Sequence, residues 1–151
     1  MRCSEIMKTD VECVSPQTAI RDAARRMRDQ GIGFLPVCDE SMRPVGTLTD
    51  RDIAVRAVAI ELPHSAPVHA CMTSEVVDCR PGDDIELARE LMQEHRVSRL
   101  ICTGRDGGIE GIISLSDIVD LDAESGARTL RQVSRREVRS DGQGRRQGAE
   151  L

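Results

Sequence analysis

Two short stretches carry the residue types that could do chemistry: GTLTDRDI from Gly46 to Ile53 and GIISLSDI from Gly111 to Ile118. In each, a glycine and two strand-forming residues lead to a hydroxyl, and a carboxylate follows three positions on, pairing Thr49 with Asp52 and Ser114 with Asp117. A helix start presents unpaired N–H groups and partial positive charge, so a hydroxyl there suits a phosphate. A carboxylate one turn later can accept both hydroxyls of a ribose. The same spacing is also close to a capping box that only satisfies orphan amides, and one residue can serve as both cap and ligand contact.

The elements that must position these residues occur twice. A shift of 65 residues places Met7, Val11, Pro16, Ile20, Ala23, Met27, Leu35, Gly46, Asp52 and Ile53 on Met72, Val76, Pro81, Ile85, Ala88, Met92, Leu100, Gly111, Asp117 and Ile118 without a gap. An unbroken register of this length signals a duplicated structural unit. Two copies imply a pseudo-twofold with a cleft where they meet, and the chemistry is expected in that cleft.

Each copy reads as strand, helix, strand, strand, helix. In the first, Val11 to Val14 is an apolar run stopped by Ser15-Pro16. Thr18 opens a helix in which Ile20, Ala23, Ala24 and Met27 recur at helical spacing before Gly31. Ile32 to Cys38 and Val45 to Leu48 read as strands around a turn, and Thr49 starts a helix through Ile53, Ala54 and Val58. The second copy repeats this with Val76-Val77, Asp84 to His95, Val97 to Cys102, Ile109 to Ile113 and Ser114 to Leu121. Repeats are thus expected over 1–65 and 66–123, with 124–151 holding a short helix at Thr129 to Val138 and a disordered, Arg-rich tail from Asp141. The order suggests an α/β (α+β) fold with sheets packed together and helices outside.

With 151 residues the two copies are better read as halves sharing one core than as independent domains. Phe34 is the sole aromatic, so the core must be aliphatic and any ring-stacking pocket has one natural candidate. The net charge is −5, and from Asp122 onward seven Arg face five acids, which leaves the body more acidic still. Such a body excludes broad phosphate-backbone binding, so nucleic acid is not an expected partner. No run approaches the roughly 20 apolar residues that cross a bilayer, and Met1 to Asp10 lacks a signal-peptide core, so no membrane partner and a cytoplasmic location are expected.

The duplicated Gly-x-x-Ser/Thr-x-x-Asp motif together with the repeat resembles the CBS domain, a module found as a tandem pair (the Bateman module) that binds adenine nucleotides. The resemblance covers about Cys3 to Leu121, and the TDRD form is similar to small stand-alone bacterial CBS pairs of the hypoxic-response type. It implies a regulatory protein rather than an enzyme, with AMP, ADP, ATP or S-adenosylmethionine as ligand and no obligatory cofactor. It also implies a homodimer built by helices of both repeats, and a further protein partner that the sequence does not identify. In the family each pocket joins the hydroxyl and Asp of one repeat to strand residues of the other. Carried over, one site combines Ser114 and Asp117 with Ser15, Ile32, Gly33 and Phe34, where Phe34 covers the base. The other combines Thr49 and Asp52 with Arg80, Val97, Ser98 and Arg99, and Arg51 adds a cation beside Thr49. Arg99 departs from the apolar or small residue of the pattern; it either stacks on a base or pairs with phosphate, or forms a salt bridge across an interface. Ile101 stands where the first copy has Pro36, which bears on how the local strand ends.

Catalysis has little to build on. There is no phosphate-binding glycine loop with its Lys and no nucleophile elbow, and Asp50 and Asp52 point away from one another at helical spacing. Six cysteines in a reducing compartment are expected to be free. Cys13 with Cys38 and Cys79 with Cys102 lie where neighbouring strands could face them, either as bridging pairs or as small buried hydrophobes. His64, His69 and Cys71 in the connector offer zinc-compatible donors without a compact ligand spacing, so no metal site is assigned, and His95 is expected to cap its helix. The second functional reading is therefore a thiol- or zinc-responsive structural protein on the same fold, without nucleotide binding.

Overall fold

The computed structural model describes residues 1–121, 123 and 127–135. The first half holds α1 (Ile20–Gln30), β1 (Phe34–Cys38), β2 (Pro44–Thr49) and α2 (Asp50–Arg56). The second holds β3 (Asp78–Cys79), α3 (Ile85–His95), β4 (Arg99–Thr103), β5 (Ile109–Ser114) and α4 (Leu115–Leu121). The result is a mixed α/β fold with two small sheets, one in each half: β1 with β2, and β3-β4-β5. β1 and β2 are antiparallel, as are β4 and β5, while β3 runs parallel to β4. Both hairpins slip register at the matching place, between Val37 and Cys38 and between Cys102 and Thr103.

The helices follow the apolar spacing. α1 buries Ile20, Ala23 and Met27 and stops at Gly31, whose φ of 64° is left-handed. α3 buries Ile85, Ala88 and Met92 at the matching positions and stops in the same conformation at Arg96, φ 55°. Thr18 does not cap α1. Its hydroxyl accepts the Ser15 N–H at 3.1 Å, and Ala19 is the residue before the first turn. The second half repeats this turn with Asp83, which accepts the Arg80 N–H at 2.8 Å, but there Asp84 caps α3 through the Glu86 N–H.

The expected first strand at Val11 to Val14 reduces to a single bridge, Val14 to Val37, and its counterpart lies at Asp78–Cys79 rather than at Val76-Val77. Pro36 explains the difference. In the second half Ile101 N–H donates to the Val77 carbonyl at 3.4 Å, and Pro36, at the matching position, has no N–H to give.

Buried apolar residues form two clusters rather than the one shared core expected from length. Ile20, Ala23, Met27, Leu35, Val37 and Leu48 anchor the first, and Ile85, Ala88, Met92, Leu100, Ile113 and Ile118 the second. Their leaders are exchanged. Cys3 packs in the second cluster, and Val68 and Cys71 pack in the first. Backbone hydrogen bonds repeat the exchange: Ile85 N–H to Met1 O and Cys3 N–H to Asp83 O in one half, Ile20 N–H to Ala66 O and Val68 N–H to Thr18 O in the other. Lys8 then exchanges two backbone bonds with Ile112, as Thr73 does with Thr47. The motif glycines make room for this passage. A Cβ on Gly46 would sit 2.8 Å from the Thr73 carbonyl, and one on Gly111 would sit 2.8 Å from the Met7 sulfur and 3.0 Å from the Lys8 carbonyl.

Residues 127–135 are helical, where a helix was expected from Thr129, and buried Thr129 accepts a hydrogen bond from Gln93 Nε2 at 3.0 Å. The remainder of that expected helix and the Arg-rich tail from Asp141 lie outside the described residues. Among the described residues no helix is long and apolar enough to cross a membrane.

Candidate functional site

Thr49 and Ser114 end the last strand of each half, in extended conformation, and the next helix starts at once. Thr49 Oγ1 accepts the Asp52 N–H at 3.0 Å, while Asp52 Oδ2 accepts the Thr49 N–H at 3.0 Å. Ser114 Oγ accepts the Asp117 N–H at 3.2 Å, and Asp117 Oδ2 accepts the Ser114 N–H at 2.9 Å. Both pairs are thus reciprocal capping boxes. Neither is sealed: the Asp52 and Asp117 side chains keep 14% and 18% of their surface exposed. The hydroxyls differ. Ser114 donates its proton to Asp117 Oδ2 at 2.6 Å, whereas Thr49 makes no such bond to Asp52.

Each carboxylate turns its outer oxygen toward a cation. Lys8 Nζ lies 3.4 Å from Asp117 Oδ1, and Arg56 Nη1 lies 3.9 Å from Asp52 Oδ1. Partial burial pushes the Asp117 pKa up, but the Ser114 hydroxyl and amide and the Lys8 ammonium together outweigh it and hold the carboxyl below the ordinary carboxylate range. Sequence reasoning missed Lys8, which reaches the second box because the leaders are exchanged. Its one signal was the Met7–Met72 identity next door.

The remaining predicted residues gather in two ways. Gly33 O accepts the Asp50 N–H at 3.1 Å, and Ser98 O accepts the Leu115 N–H at 2.8 Å. Phe34 stands opposite Thr49 in the β1–β2 ladder, and Arg99 opposite Ser114 in the β4–β5 ladder. These contacts lie within halves. Between halves, the Arg99 guanidinium carbon sits 5.7 Å from the centre of the Phe34 ring. Ile32 and Val97 close their helices by donating to Met27 O and Met92 O, Ile32 being exposed and Val97 half-buried. Ser15 is held in the exposed turn with Thr18, and Arg51 is exposed at the start of α2. Arg80 directs Nη1 to the Thr103 hydroxyl and to the Thr103 and Gly104 carbonyls, so that edge of its guanidinium secures the end of β4.

A family model described as "CBS domain" matches residues 3–58 and 68–124. The chain belongs to the CBS-domain family. As a CBS pair it is 32% identical over 136 residues to CBS domain-containing protein YhcV of Bacillus subtilis, covering 89% of this chain and 96% of that protein. Hypoxic response protein 1 of Mycobacterium tuberculosis is 31% identical over 115 residues, 76% of this chain and 80% of its own. The crystal structure of Hypoxic Response Protein I with two coordinated zinc ions superposes with a TM-score of 0.71 over 80% of this chain and 98% of that one, at 31% identity. Two further CBS-pair structures share the fold. MJ0100 in complex with 5′-methylthioadenosine and S-adenosyl-L-methionine has a TM-score of 0.73 over 80% of this chain and 98% of its own at 21% identity. CBSX2 in complex with AMP has a TM-score of 0.70 over 82% and 96% at 22% identity.

Against this CBS fold the thiols and imidazoles can be placed. All six cysteines are free. Cys79 and Cys102 face each other in the β3–β4 ladder with sulfurs 3.4 Å apart, both buried. The hydrogen bond with Cys102, then burial, pushes the Cys79 thiol up, and burial first of all raises Cys3 to about 12. Such thiols stay protonated at neutral pH and act as small core residues. In the first half the hydrogen bond between Cys13 and Cys38 lowers Cys13 and raises Cys38. His64 Nδ1 lies 3.5 Å from Arg21 Nη1, and His69 is exposed while Cys71 is buried. His95 faces Glu75 at 3.6 Å instead of capping α3, whose last turn is closed by the Arg96 N–H to Met92 O. Among the described residues no group of three or more His, Cys, Asp and Glu is assembled to hold a metal ion.

Proposed function

We propose that this CBS pair is a regulatory module that binds an adenine nucleotide or a related adenosyl compound between its halves, with AMP, ADP, ATP and S-adenosylmethionine as the candidate ligands. The observation that carries this reading is the pair of matched boxes. Each offers a hydroxyl at a strand-to-helix junction and a part-exposed carboxylate whose outer oxygen faces an exposed cation. A ribose can replace that cation, because its two hydroxyls donate to the same carboxylate. AMP on CBSX2 and S-adenosyl-L-methionine on MJ0100 support the class of ligand. The two boxes are not equivalent: the Thr49 hydroxyl is left to donate to a phosphate, while the Ser114 hydroxyl already donates its hydrogen bond to Asp117. The first box therefore suits a phosphorylated ligand and the second an adenosyl group.

Such a module works by differential docking, since a ligand shifts only equilibria for which its affinity differs. Val58 and Ile60, 69% and 63% exposed, follow α2 and continue the exposed Val55. This apolar strip supports the homodimer expected for the family.

Thermal melting of reduced protein with AMP, ATP, S-adenosylmethionine or zinc tests the reading. A ligand at 100 times its Kd adds about 2.7 kcal/mol. Asp52→Ala and Asp117→Ala, each lacking one charge-assisted partner for the ribose, are expected to weaken binding at their own box by roughly tenfold or more. Unchanged nucleotide affinity in both variants rejects the assignment, and stabilisation by zinc alone favours the metal-responsive alternative.

A further inference from the structure

Phe34 and Arg99 hold the same position in the two copies, 65 residues apart, and the fold brings these counterparts into contact. Each is the first residue of its strand, and each stands opposite the hydroxyl of its own box, Phe34 opposite Thr49 and Arg99 opposite Ser114. A continuous line therefore runs Thr49, Phe34, Arg99, Ser114 across the pseudo-twofold, joining the two candidate sites through one cation–π contact. We propose that the Phe34–Arg99 pair is a shared specificity element that couples the two clefts. The inference rests on reading those clefts as nucleotide sites.

Two observations and one point of chemistry carry it. Phe34 is the chain's only Phe, Tyr or Trp, and Arg99 already lies over its ring, so a base stacking on that face must displace the guanidinium. Phe34 is half-buried while Arg99 is exposed, so the arginine is the partner free to swing. A guanidinium released from the ring keeps its full set of donors, which suits a phosphate oxygen far better than an uncharged adenosyl group. A base stacking on Phe34 thus displaces Arg99, and the displaced charge becomes available to an anionic ligand in the other cleft. The first ligand alone must break the cation–π contact, so the second binds more tightly by about two- to fivefold, the worth of such a contact at an exposed site.

Two measurements test this on the full-length protein. In the free protein the Phe34 ring current should shift the Arg99 Hδ resonances upfield, and with no other Phe, Tyr or Trp in the chain the shift should vanish in Phe34→Leu. Calorimetric titrations with AMP and with adenosine then read the coupling in wild type, Arg99→Ala and Phe34→Leu, after thermal melting has shown that each variant folds. In wild type, AMP should bind the two clefts with positive coupling. Arg99→Ala should erase the coupling, weaken AMP and leave adenosine equal or tighter; Phe34→Leu should erase the coupling while weakening both ligands. If wild type binds AMP but both variants reproduce its affinities and stoichiometry, or Arg99 Hδ does not move in Phe34→Leu, the coupling is overturned and the nucleotide reading stands. If wild type binds neither AMP nor adenosine, the nucleotide reading fails and takes the coupling with it.

Discussion

Asp117 shows how one side chain can serve the fold and still be offered to a ligand. Its Oδ2 closes the capping box, while Oδ1 faces Lys8 across a part-exposed gap. Because its folded pKa is depressed, the stability it contributes is fully present above the unfolded carboxylate pKa and is lost as pH falls through the folded value. Asp117→Asn should therefore lower the melting temperature at pH 7, with a difference from wild type that shrinks toward zero in an acid series; an undiminished difference at low pH would reject the linkage. Ser114→Ala, which removes the cap, should cost about 1 kcal/mol in urea unfolding. The hydroxyl and carboxylate of both boxes were legible as a three-residue spacing, together with the cap they also form. Lys8 was not, because it arrives from more than a hundred positions away and only the Met7–Met72 identity beside it hints at a partner. The Phe34–Arg99 contact escaped notice for a different reason: the resemblance assigned its two members to opposite clefts.

Elements were legible wherever apolar spacing alone decides them, as in α1 and α3, and less so where one backbone hydrogen bond matters. Pro36 removes a single donor, and with it a strand that Val11 to Val14 otherwise spells out. Glycines divide along similar lines. Gly31 is needed for its left-handed φ of 64°, and a methyl group there would meet no atom within 4 Å, so Gly31→Ala should cost about 1 kcal/mol of backbone strain and nothing more. Arg96 tolerates the same conformation at the end of α3. Gly111 is needed for space, since its Cβ would press on Met7 and the Lys8 carbonyl. Gly111→Ala should cost about 1–3 kcal/mol and also loosen Lys8 from Asp117. Urea unfolding of each variant with and without Asp117→Asn separates the cases: Gly111→Ala should cost less once Asp117 is neutralised and Gly31→Ala the same, and an unchanged cost for both would contradict this division.

For the molecule as a whole, the duplication announced two similar halves but not how they are joined. Length suggested a common core; instead each half keeps its own cluster and borrows a leader from the other. Deleting residues 1–8 removes Cys3, Ile6 and Met7 from the second cluster only. Amide exchange should then accelerate in α3, β4 and β5 and remain slow in β1 and β2, whereas uniform acceleration would mean that the halves unfold as one. The traded leaders carry an implication for ancestry. A chain with just one such unit, its arm reaching into a neighbour, could close the same set of contacts as an arm-swapped pair of identical subunits. Joining the end of one subunit to the start of its mate would have required only a connector such as the segment from Leu62 to Pro67, leaving the traded arms where they were.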